Sequence, residues 1–276
     1  MRFLEVLDAE RPLQVVGAIN AYAAKLAERA GFRALYLSGA GVANHSLGLP
    51  DLGMIQLADV LTDAARITAA TRLPLLVDVD TGWGHAFTIE RAVRELERVG
   101  VAAVQIEDQV NAKRCGHRPG KELVEASEMV SRVRAALRAR GELAVVARTD
   151  AGSVDDTIAR GEAYAEAGAD IVFAEALRSL DDVQRVTAAL SVPVLVNLTE
   201  FGLTPLWTLE ELRDAGVAVA LYPLSASRAA ARASEGVYRA IREEGTQAGV
   251  VDQMQTRDEL YDVLDYLRFE RELDDL

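Results

Sequence analysis

Short apolar runs alternate along the chain with longer stretches rich in Ala, Glu and Arg. The eight runs are residues 15–20, 34–38, 75–80, 102–107, 143–149, 171–175, 193–199 and 218–223. Their near-continuous hydrophobicity is typical of parallel strands buried on both faces. Between the runs, apolar residues recur at helical spacing, as at Ile89, Val93 and Leu96, which predicts helices with one buried stripe.

Glycine follows many of the predicted helices shortly before the next strand, where it can adopt the left-handed conformation that closes a helix. The positions are Gly31, Gly100, Gly141, Gly168 and Gly216. Eight strands, each followed by a helix, predict a (β/α)₈ TIM barrel, with a doubly wound open sheet as the alternative. Because no Pro-, Gly- or Ser-rich linker interrupts the pattern, we expect residues 1–276 to form one barrel domain, with 225–276 as a C-terminal helical extension.

The end of this extension has the pattern of an amphipathic helix. Leu260, Val263, Leu264 and Leu267 fall on one helical face, with Asp and Arg on the others. Such a helix packs either on its own barrel or on a neighbouring subunit, and the pattern leaves both alternatives open.

Polar or charged residues stand at the carboxyl ends of the apolar runs. They are Asn20, Ser38, Asp78, Asp80, Glu107, Asp108, Arg148, Asp150, Glu175, Asn197, Thr199 and Glu200. In a barrel these ends converge on one mouth, where active sites lie. Buried carboxylates need a cation, a ligand or a proton, so the set predicts a functional site.

Asp78 and Asp80 are the candidate metal ligands. Two residues apart at a strand end, they can point the same way, and their hard oxygens suit Mg²⁺ or Mn²⁺ better than zinc. Asp51 and Glu107 are expected to support the ion from behind or through water. The alternative is that one of the two aspartates caps the next helix.

A basic loop, residues 113–120, follows the fourth apolar run. Its sequence KRCGHRPG concentrates positive charge around Cys115 in an otherwise acidic chain. It is either a solvated turn with an incidental cysteine or a segment that closes on a polycarboxylate and brings a thiol to it. Neighbouring positive charge favours the thiolate, as a group that exchanges a proton requires.

Charge and composition narrow the class of protein. A net charge of −13 argues against nucleic-acid and anionic-membrane partners, but a cleft with a few cations can still bind a small polycarboxylate. No apolar run approaches the ~18 residues that cross a membrane. The acidic start lacks the pattern of a secretion signal, and one cysteine excludes an intrachain disulfide. We therefore expect a cytoplasmic protein.

Several stretches together resemble the isocitrate lyase and phosphoenolpyruvate mutase superfamily over nearly the full length. They are residues 36–53, 75–84, 106–121, 146–151, 197–208, 220–230 and 252–262. The KRCGH sequence is similar to that of the lyases, whereas the mutases and oxaloacetate decarboxylases lack this cysteine. Isocitrate lyases proper are considerably longer, so the chain resembles the methylisocitrate branch more closely.

The resemblance implies a Mg²⁺-dependent carbon–carbon lyase, with Mn²⁺ also possible, that cleaves 2-methylisocitrate to pyruvate and succinate in propionate catabolism by the methylcitrate cycle. It also implies a homotetramer in which C-terminal helices are swapped between subunits. The alternatives are a lyase acting on 2,3-dimethylmalate or isocitrate, an oxaloacetate decarboxylase, or a phosphonate mutase. A decayed, non-enzymatic barrel is the remaining interpretation.

Roles carried over from the resemblance fall on matching positions. Asp78 and Asp80 match the metal ligands, and Cys115 and Arg148 match catalytic groups. Tyr36 is a separate candidate, proposed from the chemistry as the base that removes the substrate's hydroxyl proton. The substrate-binding set is Ser38, Gly39, Ala40, Cys115, Gly116, Arg148, Glu175, Asn197, Thr199, Arg228 and Arg257. Ala40 and Ala174 depart from the common Gly and Pro of the family without removing a functional group.

Overall fold

Eight parallel strands close into a barrel in which each strand pairs with the next and β8 pairs with β1. The structure is a computed structural model and describes residues 2–276. The strands are β1 (Leu13–Gly17), β2 (Ala34–Leu37), β3 (Leu75–Asp78), β4 (Ala103–Glu107), β5 (Ala144–Thr149), β6 (Ile171–Ala174), β7 (Val194–Asn197) and β8 (Val219–Tyr222). The predicted (β/α)₈ fold is confirmed, and closure of the sheet excludes the open-sheet alternative.

Helices precede β1 and follow every strand. They are α1 (Phe3–Ala9), α2 (Ala21–Arg29), α3 (Gly39–Gly41), α4 (Leu57–Ala70), α5 (Ala86–Arg98), α6 (Ala126–Ala139), α7 (Val154–Glu166), α8 (Leu180–Ala189), α9 (Leu209–Asp214), α10 (Ser225–Glu244), α11 (Arg257–Leu264) and α12 (Tyr266–Asp274). A π-type turn, Val42–Ser46, and a 3₁₀ turn, Ala248–Gln253, complete the set. Within the described chain, no helix combines the length and the apolar character needed to span a membrane.

The barrel interior is filled by apolar side chains that point inward from alternate strand positions. Leu13 and Val15 of β1 pack there with Val146 and Phe173 from the opposite strands. Three buried side chains of α1, Phe3, Val6 and Leu7, join the same cluster. A second cluster lies between the strands and the outer helices. Polar side chains are therefore concentrated at the carboxyl ends of the strands, which form the mouth of the barrel.

Seven of the eight predicted apolar runs contain a whole strand, whereas β1 begins at Leu13, two residues before the run predicted for it. At β2, β3, β6 and β7 the hydrogen-bonded ladder stops before the last polar residue of the run. Ser38, Asp80, Glu175 and Thr199 therefore lie just past their strands, in the turns that begin each strand–helix connection. Outside the ladder, their side chains can point toward the mouth of the barrel.

The expectation for glycines after helices is confirmed at four positions and wrong at Gly141. Gly31, Gly100, Gly168 and Gly216 have φ values of 91°, 87°, 105° and 79°. The chain instead leaves α6 in an extended conformation at Arg140. The Glu97 carboxylate then accepts the backbone N–H groups of residues 141, 142 and 143 at 2.7, 2.6 and 3.2 Å. The Glu97 side chain thus provides the hydrogen-bond acceptor for the backbone N–H groups that follow α6.

The chain divides into two compact units, one ending at Ser225 and one comprising Ala226–Leu276. The second unit contains most of α10, the 3₁₀ turn, α11 and α12. The expectation of one continuous amphipathic helix is wrong, because the chain breaks at Asp265, whose φ is 54°. Aspartate tolerates this left-handed conformation better than most residues. Leu267 therefore lies on α12, beyond the break. The single-domain description remains a prediction.

Candidate active site

Two carboxylates from β3 and the turn after it converge on Gly39. A Cβ atom at Gly39 would lie 2.9 Å from Asp80 Oδ1 and 3.1 Å from Asp78 Oδ2, so the position has no room for a side chain. Asp78 accepts the Gly39 N–H through Oδ2 at 3.0 Å and the Asp80 N–H through Oδ1 at 3.0 Å. Asp80 reaches this arrangement with a left-handed φ of 47°. The two predicted ligands therefore do face the same point.

Lys113, from the basic loop, lies between two of the predicted carboxylates. Its Nζ is 2.6 Å from Asp51 Oδ1 and 2.7 Å from Asp80 Oδ1. Burial raises the pKa of Asp80 to about 6, Lys113 opposes that shift, and Asp78 adds to it. Burial acts to lower the pKa of Lys113, but Asp80, Glu107 and the other carboxylates raise it well above its ordinary value. The carboxylates around Lys113 therefore favour its protonated, positively charged form.

The donor set fits a hard divalent cation. Asp80 Oδ2 and both carboxylate oxygens of Glu107 are buried and accept no hydrogen bond within the described chain, while Asp80 Oδ1 faces the Lys113 ammonium. Such oxygens suit Mg²⁺ or Mn²⁺, and a cavity of about 150 Å³ adjoins Asp80 and Lys113. Among residues 2–276, no three His, Cys, Asp or Glu side chains are arranged closely enough to enclose an ion. A bound cation would therefore take part of its coordination from water or substrate.

Arg148 is held at the end of β5 by three carboxylates. Its Nε and Nη2 bind Asp150 at 2.9 and 3.0 Å, while Nη2 lies 3.2 Å from Glu175 and Nη1 lies 3.4 Å from Glu107. Burial acts to lower the pKa of Arg148, but Asp150, Glu107 and Glu175 raise it well above its usual range. The guanidinium also lies over Phe173, 5.1 Å from the ring centre. Its position is thus fixed from several sides.

Glu175 joins Arg148 to the basic loop. Burial acts to raise the pKa of Glu175, but Arg148 and then His117 lower it to about 2. His117 accepts the Leu203 N–H at Nδ1, 2.9 Å away, so its Nε2 carries the proton that points to Glu175 at 3.0 Å. Asn197 Nδ2 lies 3.3 Å from both Glu175 oxygens. The loop is therefore fastened to the mouth through the imidazole ring of His117.

The basic loop packs directly against this network. A Cβ atom at Gly116 would come within 2.6 Å of Glu175 Cγ and 2.7 Å of Asp150 Oδ1, and would also clash with Arg148. Cys115, a free and partly buried thiol, immediately precedes that glycine. Gln109 holds the base of the loop, since its side chain accepts the Arg114 N–H and donates to the Arg114 carbonyl, both at 2.9 Å. The backbone that carries the thiol therefore lies beside the mouth.

Tyr36 projects into the barrel but its hydroxyl is already engaged. It donates to Gln105 Oε1 at 2.6 Å. Burial, and then the negative charge of Asp78, raise the pKa of Tyr36 well above its ordinary value, against the opposing effect of Arg148. An ionised phenolate is disfavoured in this arrangement, so the structure does not favour Tyr36 as a base.

Other strand-end residues have more local roles. Ser38 and Ala40 flank Gly39, and Thr199 is buried after β7, as the sequence predicts for a shared mouth. Asn20 instead caps α2 by accepting the Ala23 N–H. Arg228 and Arg257 belong to the second unit, in α10 and α11, and their substrate contacts remain predictions.

Asp108 links the mouth of the barrel to helix α7 in the outer layer. Its Oδ1 accepts the Asp150 N–H at 2.9 Å, and its Oδ2 accepts from the Tyr164 hydroxyl at 2.8 Å and from Arg160 at 3.3 Å. Burial and Asp108 raise the pKa of Tyr164. Helix α7 is thereby connected to the turn that carries Asp150, the main partner of Arg148.

Sequence reasoning missed four side chains of the site, namely Gln105, Lys113, His117 and Asp150 as the partner of Arg148. The signal for Gln105 was present, because it precedes Glu107 by two residues and so shares its face of β4. Lys113 and His117 stood in a loop already singled out for its charge. Their partners lie far away in sequence and are not readable from spacing.

Known proteins resemble the chain over nearly its full length. The family described as phosphoenolpyruvate phosphomutase matches residues 3–242. The chain is 54% identical to the 2-methylisocitrate lyase of Shewanella oneidensis, with 100% of this chain and 96% of that protein aligned. It is 55% identical to the 2-methylisocitrate lyase of Salmonella typhimurium, with 99% and 95% covered.

Solved structures share the fold across almost the whole chain. A crystal structure of 2,3-dimethylmalate lyase aligns with a TM-score of 0.89 at 33% identity, covering 96% of this chain and 91% of that one. A structure of phosphonopyruvate hydrolase with oxalate and Mg²⁺ aligns with a TM-score of 0.83 at 27% identity, covering 96% and 94%. Relatives of this architecture thus carry out several reactions.

Proposed function

The chain belongs to the phosphoenolpyruvate phosphomutase family, and we propose that it is a carbon–carbon lyase that cleaves 2-methylisocitrate to pyruvate and succinate. The observation that carries the proposal is the packing of Gly116 against Arg148, Glu175 and Asp150. Cys115 precedes Gly116 directly, so the backbone that carries its thiol lies beside a mouth that holds a buried arginine and a pair of converging carboxylates, which supports a role for the thiol there. Full-length identity above 50% to proteins of that name supports the same substrate.

Asp78 and Asp80 would hold a Mg²⁺ ion, with Mn²⁺ as a possible substitute, and Asp51 and Glu107 would support it from behind or through water. When bound, such an ion supplies Lewis-acid polarisation of the substrate hydroxyl and its neighbouring carboxylate. The turn formed by Ser38, Gly39 and Ala40 would orient the half of the substrate that becomes pyruvate. Asn197 and Thr199, with Arg228 and Arg257, would bind the half that becomes succinate.

The residues of the mouth account for both halves of the cleavage. A carboxylate of the mouth accepts the hydroxyl proton, that oxygen forms the ketone of pyruvate while the carbon–carbon bond breaks, and the bonding pair moves to the succinate half as an enolate. Arg148 can stabilise the added negative charge more strongly than it binds the substrate, because it is fixed and desolvated. The Cys115 thiol then gives its proton to the carbon and becomes a thiolate.

The proposal extends to the setting of the enzyme. Its substrate is a small polycarboxylate, and the net charge of −13 disfavours nucleic-acid and anionic-membrane partners. We propose a cytoplasmic homotetramer that acts in propionate breakdown. Exposed apolar side chains of α12, such as Leu267 and Leu273, support contact with other copies of the chain.

The test is the release of pyruvate by purified protein from 2-methylisocitrate, first with Mg²⁺ and then with EDTA. We expect turnover that EDTA abolishes, with isocitrate much slower. Activity on oxaloacetate alone would contradict the lyase proposal, because it would mean that Cys115 and its loop do not determine the reaction.

A second substrate, 2,3-dimethylmalate, is favoured by the likeness to the lyase of that name. It would use the same carboxylates and thiol and would differ only in the lining of the pocket. It belongs in the same assay as a parallel substrate. Cleavage of dimethylmalate without cleavage of methylisocitrate would keep the mechanism and change the substrate.

A further inference from the structure

Gln105 is a polar side chain inside an otherwise apolar part of the barrel. It is 0% exposed and lies on β4, two residues before Glu107. A buried amide without partners costs about 1–3 kcal/mol. Here each end of the amide has one partner, since Oε1 accepts from the Tyr36 hydroxyl at 2.6 Å and Nε2 donates to Asp78 Oδ1 at 3.1 Å. Gln105 therefore links a phenol on β2 to a carboxylate on β3.

The orientation of this amide follows from its partners. If the amide were reversed, its carbonyl oxygen would face the Asp78 carboxylate, and two acceptors would meet without a proton between them. The NH₂ group must therefore face Asp78, which leaves the carbonyl to accept the proton of Tyr36. One contact thus determines both the direction of the phenol proton and the placement of the carboxylate.

Asp78 is held by three donors in total. The other two are the backbone N–H groups of Gly39 and Asp80, both 3.0 Å away, which come from the turns on either side. Gln105 supplies the donor from within the barrel. Together the three prevent rotation of the carboxylate away from Asp80 and from the point that both share beside Gly39.

We propose that Gln105 is a positioning residue for the divalent-cation site, where its amide holds the Asp78 carboxylate in the orientation in which it acts together with Asp80. The inference rests on the proposed function, in which these aspartates are the ligands. A neutral amide meets the need because it offers a donor to a carboxylate and an acceptor to a phenol without adding charge. Methionine has a similar shape but donates nothing, and leucine offers neither group.

The experiment measures Mn²⁺ binding to the full-length protein by the electron paramagnetic resonance signal of free Mn²⁺. Gln105→Met should weaken binding about 10- to 100-fold, the usual range for losing a group that orients a metal ligand. The matched control is Gln14→Met on β1, another strand glutamine whose amide faces a tyrosine hydroxyl, that of Tyr222, at 3.5 Å. This control should stay within about twofold of the wild type, because Gln14 touches no proposed ligand.

A second variant and a second readout complete the test. Gln105→Leu should give the same loss if Gln105→Met does not fold, and the Mg²⁺ concentration for half-maximal pyruvate release should rise in parallel with the Mn²⁺ dissociation constant. Unchanged Mn²⁺ affinity in a folded variant overturns the inference, as does an equal loss in the Gln14 control. Wild-type protein that binds no Mn²⁺ overturns it together with the cation site. The binding comparison stands even if the substrate proves to be a different acid.

Discussion

Single residues determine how closely the basic loop approaches the mouth. Gly116 has no side chain to separate the loop from Arg148, and Cys115 is its neighbour in the chain. Gln109 holds the loop at Arg114 through two hydrogen bonds, so the thiol begins only one residue from a fixed point. The placement of the thiol is therefore a property of its two neighbours as much as of Cys115 itself.

Replacement of this thiol is the most direct test at the residue scale. Cys115→Ala should lower turnover by a factor of about 10² or more, because the carbanion then lacks its proton donor. Steady-state kinetics at saturating Mg²⁺ measure the effect. Mn²⁺ binding serves as the control and should remain as in the wild type, since Cys115 lies outside the proposed ligand set. Turnover within tenfold of the wild type would rule out the protonation role.

Secondary-structure elements were predictable where local chemistry decides them. The strands followed from continuous apolar runs, and the acids of the mouth followed from the polar residues that end those runs. Gly141 and Asp265 were not predictable in this way. Glu97, 44 residues before Gly141, supplies the partner there, and at Asp265 one residue in a left-handed conformation divides an otherwise regular pattern. The same limit applies to Gln105, whose role depends on neighbours from two other strands.

Glu97 of α5 joins this helix to the segment after α6, and its contribution to stability can be measured. Burial acts to raise the pKa of Glu97, but the three N–H donors after α6 lower it below its ordinary value. The folded state therefore favours the carboxylate, and the resulting stability is present above the unfolded pKa and is lost as pH falls through the lower folded pKa. Glu97→Gln should reduce the free energy of unfolding by about 1 kcal/mol near pH 7.

Urea denaturation of wild type and variant at pH 7 and near pH 4 measures this contribution. The difference between the two should shrink at the lower pH, because protonation removes the same interaction in the wild type. Glu166→Gln is the matched control, since Glu166 is the last residue of α7, stands two residues before Gly168, and has no hydrogen bond or ion pair of its side chain within residues 2–276. A difference that stays constant with pH would contradict the assignment.

At the scale of the whole molecule, the second unit exposes several apolar side chains. Leu267, Phe269 and Leu273 of α12 are 56%, 54% and 69% exposed. Apolar surface of this kind is typical of a contact with another protein surface. The sequence indicated an amphipathic tail but left its partner open, because a pattern of apolar positions does not identify the surface that covers them.

Truncation after Asp252 removes α11 and α12 and tests this contact. We expect a lower mass by light scattering than the full-length assembly, because the shortened chain loses the apolar side chains proposed to join subunits. Circular dichroism should confirm that the barrel remains folded. An unchanged oligomer would contradict a swapped or docked tail.

The hydrogen bonds made by Asp108 have an evolutionary consequence. Tyr164 and Arg160 lie on an outer helix, and neither touches Arg148 itself, yet both bind the carboxylate that holds the backbone of Asp150. A substitution at either position would alter the placement of Asp108 and, through its hydrogen bond with the Asp150 N–H, the placement of the residues that act on the substrate. We therefore expect natural selection for catalysis to limit amino-acid changes on the buried face of α7, although this face lies far from the substrate. The solvent-exposed face of α7 is expected to vary freely.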